Sequence, residues 1–188
     1  MRYLSIVLFS VMVIPQWYVP ISMISGQEHL LRTGEVWKFK TRPIDPTDPF
    51  RGKYITLSFE ASTAQVDTTL NWDFNEDIYV VLKKDSAGYA SIFDVTKTRP
   101  LEDVSYIKAK AGHGVWNGSL SIHYPFNRFY LEESKASEAE RLYWNANTDF
   151  TQVAYAVVRI KDGNTALEDV MVNGKSIVTV IREMNEEK

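Results

Sequence analysis

Cysteine is absent from the 188-residue chain. That excludes zinc–thiolate sites, thiol nucleophiles, disulfides and a lipidated N-terminal cysteine together, and it leaves the redox compartment open. Basic residues are outnumbered, with 21 Lys and Arg against 24 Asp and Glu, for a net charge of −3. No cationic excess exists to neutralise phosphodiester backbones, so nucleic acid is not an expected partner. The nine glycines are scattered at turns, and no Gly-rich phosphate loop forms. Histidine is scarce: His29 lies near the N-terminal apolar segment, His113 sits between two glycines, and His123 falls in a strand pattern. A metal site needs three or four converging ligands, and none of these has a close-spaced partner, so no metal and no cofactor is expected. The G-x-S-x-G elbow and a Ser–Lys motif are also missing, which leaves no expected catalytic residue.

What the chain does have is aromatic and apolar residues. Hydrophobic content is 45%, charged content 24% and aromatic content 13%. The first two values match folded proteins, and the third favours pleated, half-buried surfaces. From Leu4 to Ser25 there is no charged residue and no histidine. As a helix this stretch reaches about 33 Å, enough for a hydrocarbon core of roughly 30 Å. Pro15 and Pro20 are tolerated in a spanning helix, because neighbouring groups re-satisfy the freed carbonyls. Arg2 precedes the stretch and Glu28 comes after it, which orients the N-terminus to the cytoplasm and the bulk outside. A cleaved signal peptide with Tyr3–Ile14 as its apolar region is the alternative. Ile24-Ser25-Gly26 is a poor cleavage site for it, with Ile where a small residue is preferred. The sequence thus predicts residues 1–26 as a single-pass transmembrane anchor in membrane lipid, and 27–188 as an extracytoplasmic domain.

That domain reads as mainly β. Gln27–Thr33 is a short juxtamembrane stretch, and Glu35–Thr41 alternates Trp37 and Phe39 against Lys38 and Lys40. Arg42–Gly52 holds Pro43, Pro46 and Pro49 and is an extended loop. Lys53–Glu60 is a second strand, and the polar Ala61–Glu76 a long loop. Ile78–Lys84 and Tyr89–Thr96 flank Asp85–Gly88 as a hairpin. Val104–Ala111 is a strand broken by Gly112-His113-Gly114, with Ser119–Tyr124 returning and Arg128–Leu131 short and aromatic. Ser134–Asn145 is the one convincing helix of the domain. Thr151–Lys161 alternates Val153, Tyr155 and Val157, Asp162-Gly163-Asn164 turns, and Val170–Val172 and Lys175–Ile181 flank Asn173-Gly174. Asn-Gly is the strongest short hairpin signal. Short strands with tight turns predict an antiparallel sandwich or partly open barrel with one helix packed alongside. Lys40–Asp45 recurs as Lys97–Glu102, which raises a duplicated β unit.

Arg42-Pro43-Ile44-Asp45-Pro46-Thr47-Asp48-Pro49-Phe50-Arg51-Gly52, followed by Tyr54, Leu57 and Phe59, resembles the signature of the bacterial GDYXXLXY family. Further agreement lies in Gly34-Glu35-Val36, Ile78–Lys84, Arg128-Phe129-Tyr130 and Val172–Lys175. Lys53 stands where the family usually has Asp, and Phe59 where it has the final Tyr. The resemblance implies a membrane-anchored protein of the cell envelope and a polytopic membrane protein as partner. It implies no reaction.

The densest polar constellation is Arg42, Asp45, Asp48 and Arg51 on the proline-rich loop. Arginine's planar fork suits an anion or a carboxylate-bearing ligand, so these four are the candidate ligand-binding residues. The structural alternative is that the aspartates brace turns and the Arg–Asp pairs lock the loop. Asp45 and Asp48 as a carboxylate pair have no geometry fixed by their spacing, and the flanking arginines compete with a cation. Phe126, Phe129, Tyr130, Tyr143 and Trp144 form an aromatic set suited to core packing, or to a partner surface.

Overall fold

The structure is a computed structural model describing residues 2–42, 54–101, 104–132, 138, 139, 141–143, 146 and 152–186, with side chains at 2–8, 10 and 185 excepted. An N-terminal helix, Arg2–Thr33, runs without a break through Gly26 and Gln27, so the expected juxtamembrane stretch is helical. It stops at Gly34, whose N–H donates to the Leu30 carbonyl at 2.8 Å. A Cβ at Gly34 would lie 2.7 Å from that carbonyl oxygen and 3.0 Å from the Arg159 Cβ. The missing side chain is what lets the helix end approach the sheet so closely.

Among the described residues, no helix is long and apolar enough to cross a membrane, so a transmembrane helix is not supported on this criterion. Described side chains begin at Phe9, inside the predicted span, and Gln16, Gln27, Glu28 and His29 lower the hydropathy of the helix beyond that point. The predicted span's first residues, 4–8 and 10, lie outside the described side chains.

The remainder is mainly β, in antiparallel sheets. β1 (Glu35–Lys40) pairs with β9 (Ala154–Lys161), β9 with β10 (Asn164–Val172), and β10 with β11 (Lys175–Ser176). β2 (Tyr54–Thr56) and β8 (Arg128–Tyr130) form a two-stranded ribbon. The third sheet has the order β3 (Thr63–Gln65), β7 (Ser119–His123), β6 (Tyr106–Trp116), β4 (Asp77–Lys84), β5 (Ala90–Thr96). Its two edges come back toward each other, leaving a cleft of 480 Å³ between β3 and β5, so this sheet is nearly closed and barrel-like. Thr41 bridges to Phe59 and Ile107 to Gly163, which ties the sheets together.

Period-two alternation explains the inward faces. Trp37 and Phe39 are buried while Val36 and Lys38 are exposed. On β9 the buried set is Ala154, Ala156, Val158 and Ile160, one residue out of phase with the predicted Val153, Tyr155 and Val157. Both sets are apolar, so composition does not choose between the faces; the pairing of β9 between β1 and β10 does. Phe39 is fully buried among the rings of Phe59, Tyr124 and Phe126, at centroid distances of 5.7, 5.7 and 5.1 Å. Edge-to-face contacts of this kind add to the burial of each ring.

Several sequence expectations change. The segment read as a loop from Ala61 contains β3, which pairs with β7. Gly112–Gly114 does not break β6; the strand passes through with a register shift between Ala111 and Val115, a bulge that glycine permits. Among the described residues the second strand covers only Tyr54–Thr56. Lys175–Ile181 is not a strand: only Lys175 and Ser176 pair, and Ile177–Glu186 is helical. Ile177 and Ile181, four apart, are both fully buried, which is a helical spacing. Glu138, Ala139, Arg141, Leu142 and Tyr143 are helical, as expected for part of Ser134–Asn145, and Ala146, one residue past the predicted end, is helical as well. Pro43, Ile44, Asp45 and Glu102 of the internal echo lie outside the described residues.

Candidate functional site

Of the four candidate ligand-binding residues, Asp45, Asp48 and Arg51 lie outside the described residues, and Arg42 alone is placed. It follows the Thr41–Phe59 bridge, so its backbone is held: its N–H donates to the Ser58 carbonyl at 3.0 Å. Its guanidinium Nε donates to the Ser58 hydroxyl at 2.7 Å. Neither Nη group has a hydrogen-bond partner among the described residues.

Arg42 stands at one wall of a 180 Å³ cleft with Ser58, Ser62, His123 and Asn127. The Ser62 hydroxyl is buried and has no hydrogen-bond partner among the described residues. A buried hydroxyl without a partner carries a desolvation cost, which a bound polar group would relieve. Tyr124 lines the same cleft; its hydroxyl donates to the Ala61 carbonyl at 2.6 Å, and burial raises its pKa above the usual phenol value. Tyr143 is pushed up to about 12 by burial, against opposing contacts with the Thr41 side chain and the Ser58 backbone. Both phenols stay neutral at physiological pH. Among the described residues the cleft offers hydrogen bonds and one cation, and brings together no nucleophile–base pair in a bonded geometry.

Ser62 and Tyr124 carried no sequence signal. They meet only because β3 pairs with β7, and the segment holding Ser62 has no alternation. His113 stacks flat on Phe74 at 4.1 Å, and His123, at the wall of the cleft, meets the same ring edge-on at 6.4 Å. Among the described residues no group of three or more His, Asp or Glu could hold a metal.

The signature segment itself divides by face. Ile55, Leu57 and Phe59 are buried, while Tyr54 turns outward against Tyr130 at 5.5 Å with the Arg128 guanidinium 5.0 Å from its ring. The Leu57 N–H donates to the Asn127 carbonyl at 2.8 Å. Leu57 and Phe59 are therefore packing residues. Phe59, in the final Tyr position of the signature, sits among three rings where no hydroxyl is needed. Of the aromatic set around the helix, Phe126 and Tyr143 are buried and Phe129 packs on the core, whereas Tyr130 is exposed; Trp144 lies outside the described residues.

The family model described as GDYXXLXY protein matches residues 16–170. No curated protein and no solved structure matches the chain. With the match running from the N-terminal helix through most of β10, the chain belongs to the GDYXXLXY family.

Proposed function

We propose that this is a membrane-anchored envelope protein whose β domain binds or stabilises a membrane-protein partner. In this reading residues 4–25 of the N-terminal helix span lipid with the N-terminus cytoplasmic. The β domain, a partly open barrel with a helix packed alongside, lies outside the cytoplasm.

One observation carries the reading. Phe9, Val11, Met12, Ile14, Trp17, Tyr18, Ile21, Met23 and Ile24 are all more than half exposed, and they lie on every side of the helix. A helix apolar all round is stable only when a nonaqueous environment surrounds it. The helix touches the β domain through its C-terminal end, where Leu30 is buried, and lipid would cover the turns nearer the N-terminus. Trp17 and Tyr18 are amphipathic rings of the kind that settle at membrane interfaces. Membership of the family, with its implied company of polytopic proteins, points to the partner class.

The test is fractionation of the full chain followed by co-purification. Retention in membranes after alkaline carbonate, release by a nonionic detergent, and a stoichiometric membrane protein in the eluate are expected. Recovery of the intact chain as a freely soluble species overturns the anchor, and a lone monomer in detergent overturns the partner role. The other reading, a ligand-binding or hydrolytic module built on Arg42, Asp45, Asp48 and Arg51, is favoured only by the partnerless Ser62 hydroxyl.

A further inference from the structure

The five strands of the barrel-like sheet reverse direction at every pairing, β3 with β7, β7 with β6, β6 with β4 and β4 with β5. Four reversals bring β5 back parallel to β3 across the 480 Å³ cleft, so the sheet is one strand short of closing in antiparallel fashion. The cleft is lined by parts of the segments 60–65 and 85–94, both described throughout, together with Lys40.

Hydrogen-bond parity fixes which backbone groups face that cleft. The Asp85 N–H donates to the Tyr89 carbonyl at 2.8 Å, and bonded and non-bonded pairs alternate from there along the hairpin. Ser91 therefore bonds to Lys83, while Ala90 and Ile92 turn their N–H and C=O groups outward. On β3 the Ile122 N–H reaches the Ser62 carbonyl and the Val66 N–H reaches the Gly118 carbonyl, which turns Thr63 and Gln65 outward in the same way. By this parity none of the four N–H groups has a backbone acceptor in the sheet. Between the two edges the inward residues are the buried Ala64 and Ala90, both small, and Ile92, which packs on the core but is only partly covered. The edges come within 8 Å of each other. A strand between them needs two interstrand spacings, about 9.6 Å, so β3 has to move outward by about 2 Å. It is free to do so, being three residues long and paired only with β7.

We propose that this cleft takes up an extended segment of a partner protein as a sixth strand, antiparallel to β3 and β5, with apolar residues inward and Lys or Arg outward. Backbone pairing supplies the affinity of such an addition, and alternate side chains supply its selectivity. The sign of the guest follows from the lining, where Glu60, Asp85 and Asp94 stand against Lys40 alone. The Lys40 ammonium is drawn over the Tyr89 ring, 5.0 Å from its centre. The register shift that skips Phe93, and the Asp94 carboxylate that accepts the Val95 N–H at 2.8 Å, end the open edge after Ile92. An edge so interrupted resists long sheet-to-sheet pairing between copies and suits a short guest. The inference deepens the partner reading above and rests on it for the source of the segment, but no residue of the N-terminal helix lines the cleft.

The full chain, in a nonionic detergent, is titrated by calorimetry with the capped hexapeptide Lys-Val-Lys-Val-Thr-Val and with its counterpart carrying Glu for each Lys. Saturable binding of the first is expected, with the second at least about tenfold weaker through charge repulsion. Amide exchange followed by NMR should slow at Ala90 and Ile92 in the complex and stay unchanged at Ser91, whose N–H already bonds to β4. Thr63→Pro removes an outward N–H at an exposed position and spares the β7 ladder. It should weaken binding about tenfold, the loss of one backbone hydrogen bond, with little change in melting temperature. Glu60→Lys, at an exposed side chain, should weaken binding about threefold to tenfold. Absence of saturable binding, equal binding of the two peptides, or protection that bypasses Ala90 and Ile92 overturns the proposal. So does binding that Thr63→Pro and Glu60→Lys both leave untouched. The titration needs neither partner nor membrane, so its failure strikes this cleft alone. A chain that binds the peptide yet co-purifies with no membrane protein keeps the strand site and overturns the partner reading.

Discussion

Arg159 grips Glu168 across the β9–β10 pair with two hydrogen bonds, Nε to Oε2 at 2.6 Å and Nη2 to Oε1 at 3.2 Å. The same guanidinium donates from Nη1 to the Gly34 carbonyl at 3.3 Å, where the N-terminal helix hands over to β1. Glu168 lies at the register shift between Leu167 and Asp169, so a bulge turns its carboxylate to meet the arginine. One residue thus joins three features, two of them far apart in the chain: helix end, central strand and bulge.

Replacing Arg159 with Ala removes all three bonds. The pair is partly solvent-exposed, and screening limits its worth, so a loss on the order of 1 kcal/mol is expected in a urea titration. Arg159→Lys should recover little, because an ammonium cannot make the forked contact. Protection of the Gly34 region in hydrogen exchange should fall in both variants.

The ring cluster predicts a larger effect. Phe39 is fully buried, and Phe39→Ala should cost about 3–5 kcal/mol through lost transfer energy and the cavity left behind. Phe39→Leu should cost markedly less. The ratio of the two urea midpoint shifts distinguishes a cavity from a general loosening.

Two glycines in positive-φ turns should respond unequally to alanine. Gly174 has φ +81° and open space around a Cβ, so Gly174→Ala meets only the backbone penalty, about 1–2 kcal/mol. Gly163 has φ +78° and the Tyr106 ring in the way. Gly163→Ala should therefore cost more, by roughly 1–3 kcal/mol from overpacking. Thermal unfolding of the two variants side by side checks the order.

Alkaline pH should destabilise the fold through Tyr124 and Tyr143. Burial raises both pKa values above the ordinary 10, Tyr143 to about 12. Above pH 10 the unfolded chain gives up these protons first and binds fewer than the folded one, so stability falls as pH rises. Below that value their contribution is fully present. Urea midpoints followed from neutral pH upward should decline past pH 10, and Tyr124→Phe should flatten the decline. A decline of equal slope in wild type and variant would assign it to other groups.

Much of the β architecture was legible locally. The Asp85–Gly88 hairpin, the Asn173-Gly174 turn and the alternation of Trp37 and Phe39 are written in neighbouring residues, because a strand's period and a turn's positive φ are short-range properties. β3 was not legible, since Thr63-Ala64-Gln65 is too short to show a period and becomes a strand only beside β7. The stretch from Lys175 was ambiguous: Ile177, Val178, Val180 and Ile181 fit a strand by β-branching and a helix by spacing, and burial of Ile177 with Ile181 decided it. Arg42 was legible as a candidate from its place in the signature, but its hold on Ser58 was not.

The sequence by itself determined the family, the dominance of β structure, the turn positions and the apolar character of the N-terminal helix. Each of these depends on residue identity within a few positions. Only the tertiary structure decided which face of β9 is inward, that β3 and β5 are the edges of a nearly closed sheet, and that Lys40, Glu60 and Asp94 line the cleft between them. Those outcomes depend on pairings between distant segments, where loop closure and the packing of opposing faces set the register and no local pattern can.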